Sequence, residues 1–389
     1  MNPANYRYYF EPTRFAFIKD KIFLDQYPVE YPEEIGEEDG EPYLKLSMFQ
    51  RIFSPQMTVE SGEDHFSIVY EGKSVRYRNE NWSGQGTEWA CPPKWRDGEW
   101  HIPVLQVLGE GLGFFTNRLQ PPFFLAGREA ADVDLSVQRE EYYRNVLRGK
   151  SVGEVYCTFW NENIQKYLPL KMYIPTYLSQ DRKFPLIVAL HGGLGSPESV
   201  FLHTERKFSY AAEKRGFILL APDACIFNST YGCPVKPAGS HLTTCGFAGD
   251  EEELQGKAAS EDSLHQEILW AMENFPVDRE RVYLMGNSMG GIGTFYFGSR
   301  HRELFAALAP AGAAPEAEAF DYTGLGDIPI LFTAGTEDFH GYDHMERAYR
   351  YFKDHGVTIE LLTVGGGTHP SAWVDELDHI LDYLLEKHR

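Results

Sequence analysis

The run Val282-Tyr-Leu-Met-Gly-Asn-Ser-Met-Gly-Gly-Ile-Gly-Thr-Phe-Tyr-Phe297 constrains this chain more than any other stretch. Val282 to Met285 is an apolar β-type segment that enters Gly286-Asn-Ser288-Met-Gly290, and the small residues that follow read as a helix. Strand, sharp turn and helix together are the setting of a nucleophile elbow, with Ser288 at its tip. So tight a turn imposes an unfavourable backbone on the serine. Gly286 and Gly290 are required because a side chain at either would strike a neighbouring strand or helix. Gly291 lets the helix pack close.

The surrounding chain supplies a sheet for that turn. Glu154 to Trp160 and Leu168 to Pro175 read as an antiparallel pair. Then come a buried strand at Phe184 to Leu190, a helix from Ser199 to Lys214, a strand at Phe217 to Pro222 and a helix from Glu261 to Asn274. After the elbow, strands are expected at Ala306 to Ala309, Ile328 to Thr333 and Thr358 to Val364, with helices at Tyr342 to His355 and Trp373 to Lys387. Repeated alternation of this kind predicts an α/β unit, a mostly parallel sheet with helices on both faces. Ligands of such sheets bind at the carboxyl ends of the strands.

An activated serine needs a base within hydrogen-bond reach and a third group that orients the base. The strand ending at Thr333 runs into Gly335-Thr-Glu-Asp338, and the strand ending at Val364 into Gly365-Gly-Gly-Thr-His369. The expected catalytic set is therefore Ser288, Asp338 and His369, each just beyond a strand's carboxyl end. Glu337 is the rival acid, His340 and His344 the rival bases. Pro370 holds His369 extended. A developing oxyanion needs two N–H donors, and these are expected from Met289 and from Gly193 in His191-Gly-Gly-Leu-Gly195, with Leu194 as the second choice there. His191 reads as structural. The long connection Asp223 to Ser260 is expected to wall a pocket, and Leu194, Phe227, Tyr231 and Phe339 are the expected substrate-binding residues.

Composition narrows the partners. Fifty-seven acidic residues against 36 basic ones give a formal charge of −21, which disfavours nucleic acid and anionic membranes, since both need a basic face. A neutral or cationic small molecule fits better. The acidic runs, Asp250-Glu251-Glu252-Glu253 among them, read as solvated loops. Aromatic residues make up 14% of the chain, enough for well-filled cores and a pocket for a flat ligand. No His or Cys spacing suggests a metal site, so neither metal nor cofactor is expected. The first twenty residues lack an apolar signal core and no run reaches membrane-spanning length, so a cytoplasmic location is expected. Five cysteines with no paired spacing agree with a reducing home, although an exported protein could bridge two of Cys225, Cys233 and Cys245.

Residues 1–125 form a separate small α+β domain, 126–151 a linker and 152–389 the α/β unit. Phe17 to Leu24 and His65 to Tyr77 both read as hairpins, and Tyr43 to Phe53 and His101 to Gly113 both as a strand followed by a short helix. This loose half-repeat is similar to the small domain at the N-terminus of copper amine oxidases, which carries no copper and is met as a stalk module in bacterial extracellular proteins. The resemblance implies packing, homo-oligomer formation or roofing of the site.

From Val152 to Arg389 the chain resembles the α/β-hydrolase superfamily, in detail the bacterial esterases and prolyl-oligopeptidase-like serine hydrolases that include feruloyl esterases and polyhydroxybutyrate depolymerases. The carriers are His191-Gly-Gly, the phrase Val277-Asp-Arg-Glu-Arg-Val-Tyr-Leu-Met-Gly-Asn-Ser-Met-Gly-Gly, Gly335-Thr-Glu-Asp and Gly367-Thr-His. The resemblance implies an α/β-hydrolase fold and a metal-independent serine hydrolase of carboxylic esters. Ser288 would be the nucleophile, His369 the general acid and base, Asp338 its orienter, and Gly193 with Met289 the oxyanion hole. Asn287 departs from the bulkier residue such relatives carry. Two alternatives stand beside it, a peptidase or amidase acting on small peptides and an inactive binding protein.

Overall fold

The computed structural model describes residues 10–54, 56–84, 89–118, 124–134, 152–226, 229–239 and 251–389. Phe227, Cys245 and most of the expected linker lie outside the described residues. The chain divides into two compact units, one of Glu11–Lys150 with Tyr156–Leu168 and the other of Ser151–Val155 with Pro169–Arg389.

The first unit, expected as a small α+β domain of short strands with two helical pieces, is mostly antiparallel strand. It holds a five-stranded sheet and two four-stranded sheets, with one eight-residue helix, Leu46–Phe53, following a strand as anticipated. Both expected hairpins form, Arg14–Ile18 with Lys21–Leu24 and His65–Tyr70 with Lys73–Arg78. Their reversals place Lys19 at φ 54° and Gly72 at φ 79°, the left-handed region that tight hairpin turns require. The unit also takes the outer half of a hairpin that the sequence assigned wholly to the second domain. Thr158 donates to the Pro28 carbonyl at 2.8 Å, the Tyr27 and Tyr156 rings meet edge to face, and the Arg51 guanidinium lies 4.2 Å from the Trp160 ring centre.

The second unit carries most of an eight-stranded sheet whose strands we number β1 Gly153–Asn161, β2 Lys166–Ile174, β3 Phe184–Leu190, β4 Ile218–Pro222, β5 Val277–Asn287, β6 Ala307–Ala311, β7 Ile330–Gly335 and β8 Ile359–Val364. Their order is β1-β2-β4-β3-β5-β6-β7-β8. β2 runs antiparallel to β4, and the strands from β4 to β8 are parallel. All seven residues of β3 are buried, as expected of a central strand covered on both faces, where each large apolar side chain withdrawn from water stabilises by about 1.5–3 kcal/mol. On one face Phe208, Phe217, Tyr283 and Leu381 share a core.

The longer helices among the described residues are α1 Pro197–His203, α2 Lys207–Arg215, α3 Glu251–Asn274, α4 Met289–Arg300, α5 Tyr342–Asp354 and α6 Leu377–Leu385. Three differ from expectation. The helix read from Trp373 to Lys387 forms as a short turn, Ala372–Asp375, and then α6. The single helix read from Ser199 to Lys214 breaks after His203. There the Thr204 hydroxyl donates to the Val200 and Phe201 carbonyls, and Glu205 and Arg206 turn to positive φ. α3 starts at Glu251, ten residues early, because the acidic run read as a loop opens the helix. Carboxylates there favour the positive end of the helix dipole, and Glu253 pairs with Lys257 one turn on at 3.1 Å.

α3 also buries Glu267 completely, and its hydrogen-bond partner among the described residues is the Ser263 hydroxyl at 3.1 Å. Burial, reinforced by the Asp223 carboxylate, raises its pKa well above the usual 4.5. The folded protein therefore holds a proton that the unfolded chain releases above about pH 4.5, and stability falls as pH rises from there toward the folded pKa. Glu267→Gln keeps the neutral form at every pH. Its melting temperature is expected to match wild type near pH 4 and to exceed it by about 2–4 °C at pH 8; a constant difference across that range would rule out the buried neutral acid.

Candidate active site

Ser288 sits where β5 gives way to α4, with φ 60° and ψ −120°, a conformation that side chains rarely adopt. Its N–H donates to the Ala311 carbonyl at the end of β6 (2.9 Å), which pins the turn to the neighbouring strand. Crowding explains the glycines. A Cβ on Gly290 would stand 2.3 Å from the Leu190 carbonyl oxygen, at the carboxyl end of β3.

Asp338 and His369 come together from the loops after β7 and β8, and both are buried. His369 Nδ1 lies 2.8 Å from Asp338 Oδ2 and 3.0 Å from Oδ1. The backbone N–H of His340 donates to Oδ1 at 2.8 Å, so the carboxylate is held from two directions. Glu337, the rival acid, is exposed, and the acid that meets the imidazole is Asp338. Of the rival bases, the His340 ring packs edge-on to His369 at 4.3 Å. Burial first, and then the neighbouring His369, bring its pKa down to about 4, which leaves it neutral at ordinary pH. Gly312, at φ 67°, clears space on the other side, where a Cβ would lie 3.2 Å from the His369 ring.

Ser288 and His369 line one open cleft with Gly192, Gly193 and Asn287. The Cβ position of Gly192 is 3.4 Å from that of Ser288, so the His191 loop faces the serine. His191 is buried, with Nδ1 2.8 Å from the Gly192 carbonyl. Nδ1 is therefore the protonated nitrogen, and burial lowers the ring's pKa to about 4. Met289, the first residue of α4, is also buried.

The substrate wall differs from expectation. Tyr231 is fully buried: its ring packs against Gly293 and its hydroxyl is 3.4 Å from the His191 carbonyl, so it braces the loop and does not face the cleft. Leu194 and Phe339 are exposed, and Phe339 lies 4.5 Å from the His369 ring; neither is among the residues that line the cleft. That lining includes Ser199, Val200 and His203 of α1, with Met285, Pro370 and Trp373. Sequence reasoning missed α1 because it carries no motif; the one available signal was its place directly after the His191 loop. Among the described residues Cys225 and Cys233 are not joined by a disulfide. No helix among the described residues is long and apolar enough to cross a membrane.

The Esterase family matches residues 161–369, more than half of the sequence. The chain belongs to that family. Membership places it among carboxylic ester hydrolases. This esterase is 28% identical over 208 residues to S-formylglutathione hydrolase of Bos taurus, a match covering 51% of the chain and 67% of the relative. It is 29% identical over 148 residues to feruloyl esterase B of Thermothelomyces thermophilus, covering 38% and 43%. The chain thus spans less than half of the fungal relative. Among solved structures, that of a thermostable esterase superposes with a TM-score of 0.47 at 21% identity, covering 61% of this chain and 63% of that one.

Proposed function

We propose that this esterase cleaves carboxylic esters through an acyl-enzyme, with Ser288 as nucleophile. In this reading His369 takes the serine proton as the hydroxyl attacks the ester carbonyl, and hands it to the departing alcohol. A water then repeats the cycle on the acyl-enzyme, with His369 again as base. Asp338 fixes the imidazole with Nδ1 protonated, which leaves the other nitrogen to accept. The backbone N–H groups of Gly193 and Met289 receive the oxyanion. The observation that carries the reading is the buried Asp338–His369 pair at 2.8 Å, whose imidazole lines the cleft that also holds a serine at φ 60°. The relatives' names, S-formylglutathione hydrolase and feruloyl esterase B, support short or hydroxycinnamoyl acyl groups as the first to try.

A fluorophosphonate probe tests it. The purified protein is expected to be labelled at Ser288 alone and to turn over p-nitrophenyl acetate and butyrate. Silence toward both would favour a binding protein that has kept the hydrolase shape.

A further inference from the structure

Asn287 is the residue of the elbow that departs from the enzymes the elbow resembles, and the chemistry described so far does not use it. It is the last residue of β5, half-buried, and it lines the cleft beside Ser288. Its register partner is Ala311, at the end of β6. The next residue, Gly312, is fixed at φ 67°, and its N–H donates to the Thr333 carbonyl of β7 at 3.0 Å. Three adjacent strand ends therefore hold one small platform.

Over that platform stand an amide oxygen and an imidazole. A Cβ on Gly312 would lie 2.5 Å from Asn287 Oδ1 and 3.2 Å from both Cε1 and Nδ1 of His369, so the two side chains share the space that glycine leaves open. Nδ1 is engaged by Asp338 at 2.8 Å, and Cε1–H is the other group on that edge of the ring. Asn287 Oδ1 is buried and has no hydrogen-bond partner among the described residues. A buried acceptor without a donor costs stability in the resting protein. Such a cost serves catalysis where it is relieved in the transition state, because only an interaction stronger there than in the ground state raises kcat. The group beside this oxygen that changes charge is His369. Neutral imidazole offers a weak C–H, whereas imidazolium carries part of its positive charge on the carbon between its two N–H groups. A fixed amide dipole with its negative end toward that carbon gains strength as the charge develops.

We propose that Asn287 is a positioning residue for His369, its Oδ1 accepting from the Cε1–H of the imidazolium that forms when Ser288 gives up its proton. As the serine O–H breaks, its electron pair forms the bond to the ester carbonyl carbon, and the proton goes to the His369 nitrogen away from Asp338. Asn287 exchanges no proton and steadies the charge that results. The proposal rests on the proposed function, since it needs that proton transfer.

Asn287→Leu replaces the carboxamide with an apolar group of nearly the same shape. It is expected to lower kcat on p-nitrophenyl butyrate about three- to fivefold, the loss of one C–H···O contact, with KM held within about twofold. Asn287→Asp keeps an acceptor at the same place and is expected to restore most of that loss. A residue that only lined the cleft would move KM instead. The second readout is the proton NMR signal of His369 Cε1–H, in protein with carbon-13 at the histidine Cε1 positions, identified by its loss in His369→Gln. It is read before and after Ser288 reacts with a fluorophosphonate in mildly acid buffer, a step in which fluoride leaves and the serine proton stays on His369. The downfield movement on reaction is expected to be larger in wild type than in Asn287→Leu. Equal movement in the two, or a kcat that Asn287→Leu leaves unchanged, overturns this inference alone, because wild type still turns over the ester and is labelled. A wild type that does neither removes the proposed function along with it.

Discussion

Ser288→Ala is expected to lower kcat on p-nitrophenyl butyrate by about 10⁶-fold while leaving the protein folded. The serine's backbone conformation belongs to the turn, since φ 60° is imposed by the N–H bond to Ala311 and by the close approach of α4 to β3, and alanine accepts it as serine does. Losing one hydroxyl from a cleft wall changes stability by about 0.5 kcal/mol or less. Turnover and unfolding therefore separate: a variant with wild-type thermal midpoint and no turnover fits the nucleophile, and one that keeps a tenth of the activity would end that assignment.

Asp338→Asn is the second large effect, with kcat expected to fall about 10⁴-fold and KM to change little. Both carboxylate oxygens lie within 3.0 Å of His369 Nδ1, and one of them also accepts the His340 N–H. A neutral amide keeps the shape but can present a donor where an acceptor is needed, which turns the imidazole to the wrong tautomer and removes the charge that steadies the imidazolium. Glu337→Gln is the control. That side chain is exposed, so its removal should leave kcat within about twofold. An inverted result, with Glu337 needed and Asp338 dispensable, would move the orienting role to the neighbouring residue.

The site was more legible in the sequence than its surroundings. Gly286, Gly290 and Gly291 mark places where two backbones nearly touch, and such contacts leave a spelling that can be read without coordinates. The loops bearing Asp338 and His369 were found from the strands before them, because a parallel sheet sends each strand's carboxyl end to the same rim. Boundaries were harder. The acidic run, read as a solvated loop, opens a helix at Glu251, because the same carboxylates that suit a loop face also suit the positive end of a helix. The break between α1 and α2 depends on one threonine hydroxyl competing for two carbonyls.

The cleft wall was where local reading failed. Tyr231 had the composition of a pocket residue and is instead packed under the His191 loop, against a glycine on α4, while Val200, His203 and Trp373 reach the cleft from segments with no distinguishing motif. What sequence alone determined here is the alternation of strands with helices along the chain and the placing of Ser288, Asp338 and His369 past strand ends, since these follow from alternation and from steric necessity at glycine. Which residues line the cleft was decided only by the tertiary structure, because facing depends on how helices lie across the sheet, and that is set by packing among residues far apart in the chain.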